Sequence, residues 1–165
     1  MQKSKGFTLV ELVIVIVILG ILAVTAAPKF LNLAGDAKEG TLTAVEASLK
    51  SANAVIYSKA VLQGVQKTDS ATVNESGTNI AVAYGYVDAT EAAVSAVLDL
   101  DGGFTILQGT AVTYENGTTD VDVTAADVLI YTGAAPVAAS ACMLVYTKAA
   151  SATTKPTFQT VNSGC

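Results

Sequence analysis

The feature that most limits what this chain can become is a run of 21 mainly apolar residues, Phe7–Ala27 (FTLVELVIVIVILGILAVTAA), broken by a single charge at Glu11. As an α-helix such a run extends ~32 Å, close to the ~30 Å hydrocarbon thickness of a bilayer. Being apolar on every face, it needs lipid or other apolar chains on all sides. Lys3 and Lys5 precede it and favour a cytoplasmic N-terminus with the remainder exported. A cleaved secretory signal also fits, because Leu12–Val24 has the length of a signal core and Thr25-Ala26-Ala27 resembles a cleavage site. Two features oppose it. Pro28 would directly follow that site, and Glu11 lies inside the run, where a carboxylate costs roughly 2–3.5 kcal/mol near a membrane-helix centre and less towards an end. On this physics alone, signal peptide and retained anchor both stay open.

Composition removes several classes of function. With 165 residues the chain suits one domain with a modest core plus one extended element. At 52% hydrophobic and 14% charged residues it is too apolar for a disordered chain. All nine basic residues are Lys, set against 14 acidic ones for a net charge of −5. A nucleic-acid binder needs a basic face, so no nucleic acid is expected as partner. The absence of His removes the commonest general base and metal ligand. No nucleophile–base pair, phosphate loop or metal cluster emerges, so no enzyme, cofactor or metal is expected. The acidic groupings Asp99 and Asp101, and Asp120, Asp122 and Asp127, fit no calcium-loop spacing and read as solvated turn residues. Asn74-Glu75-Ser76 and Asn116-Gly117-Thr118 match the glycosylation pattern, but such matches arise often by chance, and Asn116 is better explained by a turn. Cys142 and Cys165 fit no zinc spacing, and a disulfide formed in an oxidising compartment is the better reading.

One stretch resolves the question left open by the apolar run. Lys5-Gly6-Phe7-Thr8-Leu9-Val10-Glu11 followed by LVIVIVILGILA resembles the class III leader and N-terminal helix of type IV pilins and their pseudopilin relatives, over Lys5 to about Leu33. The resemblance implies a leader, residues 1–6, cut by a prepilin peptidase between Gly6 and Phe7, with N-methylation of Phe7. It implies that the helix is kept, first in the inner membrane and then in the core of an extracellular homopolymeric filament. In that picture Glu11 of one subunit meets the Phe7 amine of a neighbour. Pairing offsets much of the cost of an apolar-buried carboxylate, and a register slip would unpair both charges. Losing Lys3 and Lys5 with the leader takes the formal side-chain charge from −5 to −7. Gly20 and Pro28 are expected to interrupt or bend the helix. The stretch Ala23–Leu33 with the terminal Gly164-Cys165 is similar to mannose-sensitive haemagglutinin (MSHA) pilins. Further implied partners are the pilus assembly machinery and, at family level only, host or surface glycans. Surface attachment and biofilm formation would follow. Pseudopilins of type II secretion share the N-terminal motif but usually lack a terminal disulfide, so Cys142 and Cys165 favour a pilus subunit. A secreted ligand-binding domain behind a signal peptide is the other alternative.

Downstream, Leu42, Val45, Leu49, Ala52 and Ile56 recur at helical spacing, and Gly64 is a fitting stop. The expected helix therefore runs over 7–63, with the head at 64–165. Residues 65–85 are polar and turn-rich, with Ile80–Tyr84 as one short extended piece. Asp88-Ala89-Thr90-Glu91 resembles a capping box opening a second helix over Ala92–Leu100. Strands are expected at Phe104–Gln108, Thr110–Glu115, Thr118–Thr124, Val128–Tyr131, Met143–Thr147 and Thr157–Val161, with Asn116-Gly117 as a hairpin turn and the last strand at an edge. The fold class is α+β: a long N-terminal helix packed on a small antiparallel sheet, the architecture that the pilin resemblance also implies.

Overall fold

The computed structural model describes residues 6–100 and 103–165, without the side chains of 28–32. The chain comprises two units, Met1–Asp36 and Ala37–Cys165. Helix α1 (Leu9–Leu62) contributes to both. In the first unit α1 continues through Gly20, since glycine keeps its N–H and so its place in the hydrogen-bond ladder. The side chain of Pro28, where a bend is expected, falls outside the described residues.

In the second unit the predicted stripe is the core face of α1. Leu42, Val45, Leu49, Ile56 and Ala60 are buried, whereas Ala52 is only half-buried. The position between Leu49 and Ile56 is filled instead by Asn53, a polar residue at 4% exposure. The helix stops by a Schellman motif: Gly64 has φ 73°, its N–H donates to Val61 O at 3.1 Å, and Val65 N–H donates to Ala60 O at 2.9 Å. Only glycine adopts that φ without strain, which is why the helix ends here.

Residues 71–87 form a three-stranded antiparallel sheet of β1 (Ala71–Glu75), β2 (Thr78–Ala83) and β3 (Tyr86–Val87), where one short extended piece was expected. The turns are Ser76-Gly77 (φ 50° and 90°) and Tyr84-Gly85 (φ 52° and 84°). Positive φ at both central residues is the hairpin geometry that matches strand twist. The second turn also needs glycine for space, because a Cβ on Gly85 would lie 3.0 Å from Tyr57 Cδ2 and from the Gln66 backbone.

Helix α2 (Glu91–Val97) is shorter than predicted: it starts one residue before Ala92 and ends at Val97 rather than Leu100. Thr90, not Asp88, is its cap, accepting the Ala93 N–H at 3.3 Å, while Asp88 pairs with Lys148 at 2.9 Å. Strands β4 (Phe104–Gln108), β7 (Asp127–Thr132), β8 (Met143–Thr147) and β9 (Thr157–Val161) make an antiparallel sheet in the order β4-β7-β8-β9, so β9 is an edge strand as predicted. β5 (Val112–Tyr114) and β6 (Val121–Val123) pair separately, Thr113 opposite Asp122. Their connection runs 115–120, longer than a two-residue turn. Asn116 reaches from it to β9, donating to Thr160 O at 3.1 Å and accepting from Asn162 N–H at 3.2 Å. Asp127 is a correction to the solvated-turn reading: it is 3% exposed, and its Oδ2 accepts from the Thr124 N–H and hydroxyl at 2.7 Å each.

The second unit is thus α+β, with the buried face of α1 clustered against Val128, Ile130, Leu144 and Tyr146 of the larger sheet and Ile80, Val82 and Val87 of the smaller one. Asn53 joins these layers. Its Oδ1 accepts from Val87 N–H at 2.9 Å, its Nδ2 donates to Leu49 O at 3.1 Å, and Tyr146 Oη lies 3.3 Å from Oδ1 while donating to Val87 O at 2.6 Å. Burial pushes the Tyr146 phenol above its ordinary pKa, the Asn53 contact partly opposing this.

Candidate assembly site

The start of α1 is set by four residues. Gly6 and Phe7 precede the helix, Thr8 caps it, and Glu11 lies at its third helical position. Glu11 Oε2 accepts from the Thr8 N–H at 2.7 Å and the Thr8 hydroxyl at 2.8 Å, and Thr8 Oγ1 accepts from the Glu11 N–H at 3.2 Å. This reciprocal pair is a capping box. A carboxylate here also faces the positive end of the helix dipole. Among the described residues Oε1 accepts no hydrogen bond. One oxygen of Glu11 is committed to its own helix, and among the described residues the other has no partner. Thr8 was missed in the sequence, although Thr8-Leu9-Val10-Glu11 has the same capping-box spacing that was read further along at Asp88–Glu91.

Beyond the cap, Leu9–Ala27 has a mean hydropathy of 3.0, enough by length and composition to cross a membrane. Its large side chains are exposed on all faces of the helix, from 43% at Val13 to 77% at Leu9, and Phe7 is 94% exposed. At ~25 cal/mol per Å² of apolar surface, such a segment is unstable in water and stable only when surrounded. Thr25 returns its hydroxyl to Leu22 O at 3.0 Å, so its polar group is satisfied within the helix. Glu11 is the one ionisable side chain in this span.

The other sequence-derived residues lie elsewhere. Cys142 and Cys165 are joined in a disulfide with Cα atoms 4.7 Å apart, tying the last residue beside the start of β8. Gly164 donates its N–H to Ala141 O at 2.8 Å, and a Cβ there would fall 2.7 Å from Ala141 N, so the chain end lies directly against that backbone. Among the described residues no group of three or more His, Cys, Asp or Glu side chains converges to hold a metal ion.

Comparison with known proteins bears on this helix. Residues 1–27 match the family model described as the prokaryotic N-terminal methylation motif. The chain is 40% identical over 76 residues to the type IV narrow pilus major component PilA5 of Thermus thermophilus, covering 46% of this chain and 64% of that protein. It is 32% identical over 90 residues to two fimbrial proteins of Pseudomonas aeruginosa, covering 54% of this chain and 53% of theirs. The matches therefore span between about half and just under two thirds of these curated relatives. No solved structure matches the chain significantly.

Proposed function

We propose that this chain is the structural subunit of a type IV pilus, polymerising through α1 into an extracellular filament. The observation that carries this reading is a membrane-length helix, exposed on every face, with one carboxylate held at its first turn. The subunit is stored in the inner membrane, cut between Gly6 and Phe7 by a prepilin peptidase, and N-methylated at Phe7. The pilus assembly machinery then moves it out of lipid into a bundle of identical helices. The Oε1 of Glu11 takes the Phe7 amine of a neighbouring copy, while Thr8 holds Oε2, so the acid reaches the interface already oriented. The names of the relatives in Thermus and Pseudomonas agree with this class. Gly20 and Pro28 are the positions where the helix adapts on packing.

Within the class we place the chain nearest the MSHA pilins, on Ala23–Leu33 and the terminal Gly164-Cys165. Adhesion to surfaces follows from the filament, with the disulfide-bounded region 142–165 as its exposed end. Sequencing the mature N-terminus from sheared surface fibres tests the whole reading. N-methyl-phenylalanine at Phe7 is expected. A mature start at Pro28, or absence of the chain from the fibres, would overturn it.

A further inference from the structure

The second unit holds an open groove of about 920 Å³ lined by α1 residues 50–58, Tyr86 of β3 and the entry to β9. That volume is typical of small-ligand sites. Tyr57 and Tyr86 stack with ring centroids 4.6 Å apart, and the Lys50 ammonium sits 5.1 Å from the Phe158 ring centre. All three aromatic side chains are half-buried and border the groove. Tyr57 and Tyr86 are backed by the rest of the unit. The Tyr84-Gly85 turn lies close beside Tyr57, since a Cβ on Gly85 would fall 3.0 Å from its Cδ2, and Asn53 fixes the backbone of Val87, next to Tyr86. A ligand that stacks here meets a surface already ordered, which lowers the cost of binding.

The charge is as informative as the aromatic lining. Ala37–Cys165 contains six lysines against twelve acidic residues, yet Lys50 and Lys155 line the groove and, among the described residues, no acidic one does. Lys50 is paired with Glu46, whereas among the described residues Lys155 has no carboxylate within ion-pair distance. A lone ammonium beside aromatic surface, in an otherwise acidic unit, is complementary to a ligand that combines an apolar ring face with a carboxylate.

We propose that this groove binds a short acidic saccharide of the hexuronate class, with a sugar ring packed on the Tyr57–Tyr86 pair and its carboxylate on Lys155. The C–H face of a pyranose ring gains dispersion against an aromatic ring and meets its negative quadrupole face. The carboxylate gains a charge-assisted hydrogen bond. Two lysines are too few for a nucleic-acid strand, whose affinity rests on many phosphate contacts. The site is complete within one copy and does not depend on the filament reading.

The test uses the full chain in neutral-detergent micelles, titrated with a galacturonic acid hexamer and, separately, with uncharged maltohexaose. Binding is followed by NMR of the Tyr57 and Tyr86 ring signals. Saturable shifts with the acidic hexamer are expected, weakening as salt is raised. Lys155→Glu should weaken binding about tenfold, the scale of one charge-assisted hydrogen bond, with an unchanged thermal transition. Lys67→Glu, an exposed lysine outside the groove, should leave binding intact. Equal binding of maltohexaose, an equal loss in Lys67→Glu, or no saturation at millimolar sugar would overturn the proposal.

Discussion

Replacing Asn53 by Ala removes a side chain whose hydrogen bonds tie α1 to both sheets. In the native unit Asn53 Oδ1 is the acceptor for the buried Val87 N–H at 2.9 Å. Tyr146 gives its proton to Val87 O at 2.6 Å, and among the described residues Asn53 Oδ1 is the acceptor that the Val87 N–H has. An orphaned buried donor costs about 1–3 kcal/mol. The emptied amide volume adds a cavity cost, while the better helix propensity of Ala returns roughly 0.6 kcal/mol. The net expectation is a loss of about 2 kcal/mol, which for a unit of this size lowers the thermal midpoint by about 8 °C. Near-UV circular dichroism of the full chain in detergent micelles reads this directly, because the tyrosines report tertiary packing and there is no tryptophan. Ser58→Ala is the control: its exposed hydroxyl only returns to Ala54 O at 2.9 Å, and a change within about 0.5 kcal/mol is expected. In a cycle with Tyr146→Phe the two losses should be non-additive by at least about 0.5 kcal/mol, since both groups serve Val87. A midpoint within about 2 °C of the wild type, or simple additivity, would refute the coupling.

Three further outcomes follow from the same geometry. Glu11→Val should leave membrane insertion intact, since the helix becomes more apolar, but strongly reduce fibre yield in shearing assays; a normal yield would remove the charge-pairing role. Cys142→Ser opens the loop that closes on Cys165 over a sequence separation of 23, and should lower stability under oxidising conditions by about 3 kcal/mol; an unchanged thermal transition would count against that. Tyr146 stays protonated in the folded state above the pH at which the unfolded phenol ionises, so the unfolded chain binds fewer protons there and stability falls as pH rises past about 10, by up to about 1.4 kcal/mol per unit for this group. Tyr146→Phe should flatten that alkaline limb of a urea-unfolding profile, and an unchanged slope would assign the loss to other groups.

The sequence by itself determined whatever depends on local pattern. Leu9–Ala27 is a run that needs apolar surroundings as a helix, and Gly64 was legible as a fitting end to α1, because hydropathy and allowed φ are properties of the residues themselves. Met143–Thr147 and Thr157–Val161 were legible to the residue, since compact β-branched and aromatic runs bounded by turns leave little choice. The capping-box spacing was equally legible at Thr8–Glu11 and was misassigned at Asp88–Glu91, where Asp88 is instead ion-paired with Lys148, distant in sequence. What only the tertiary structure decided was the set of long-range polar partners. Asn53 occupies a core position of the α1 stripe that reads as an error until Val87 supplies its donor, and Asp127 reads as a turn residue until Thr124 closes over it. The groove beside Lys155 belongs to the same class, because its walls come from α1, β3 and β9 and meet only when the helix is laid against both sheets. Hydrophobic burial is read from a residue's own nature; a buried polar group acquires its meaning from whichever distant atom completes its hydrogen bond.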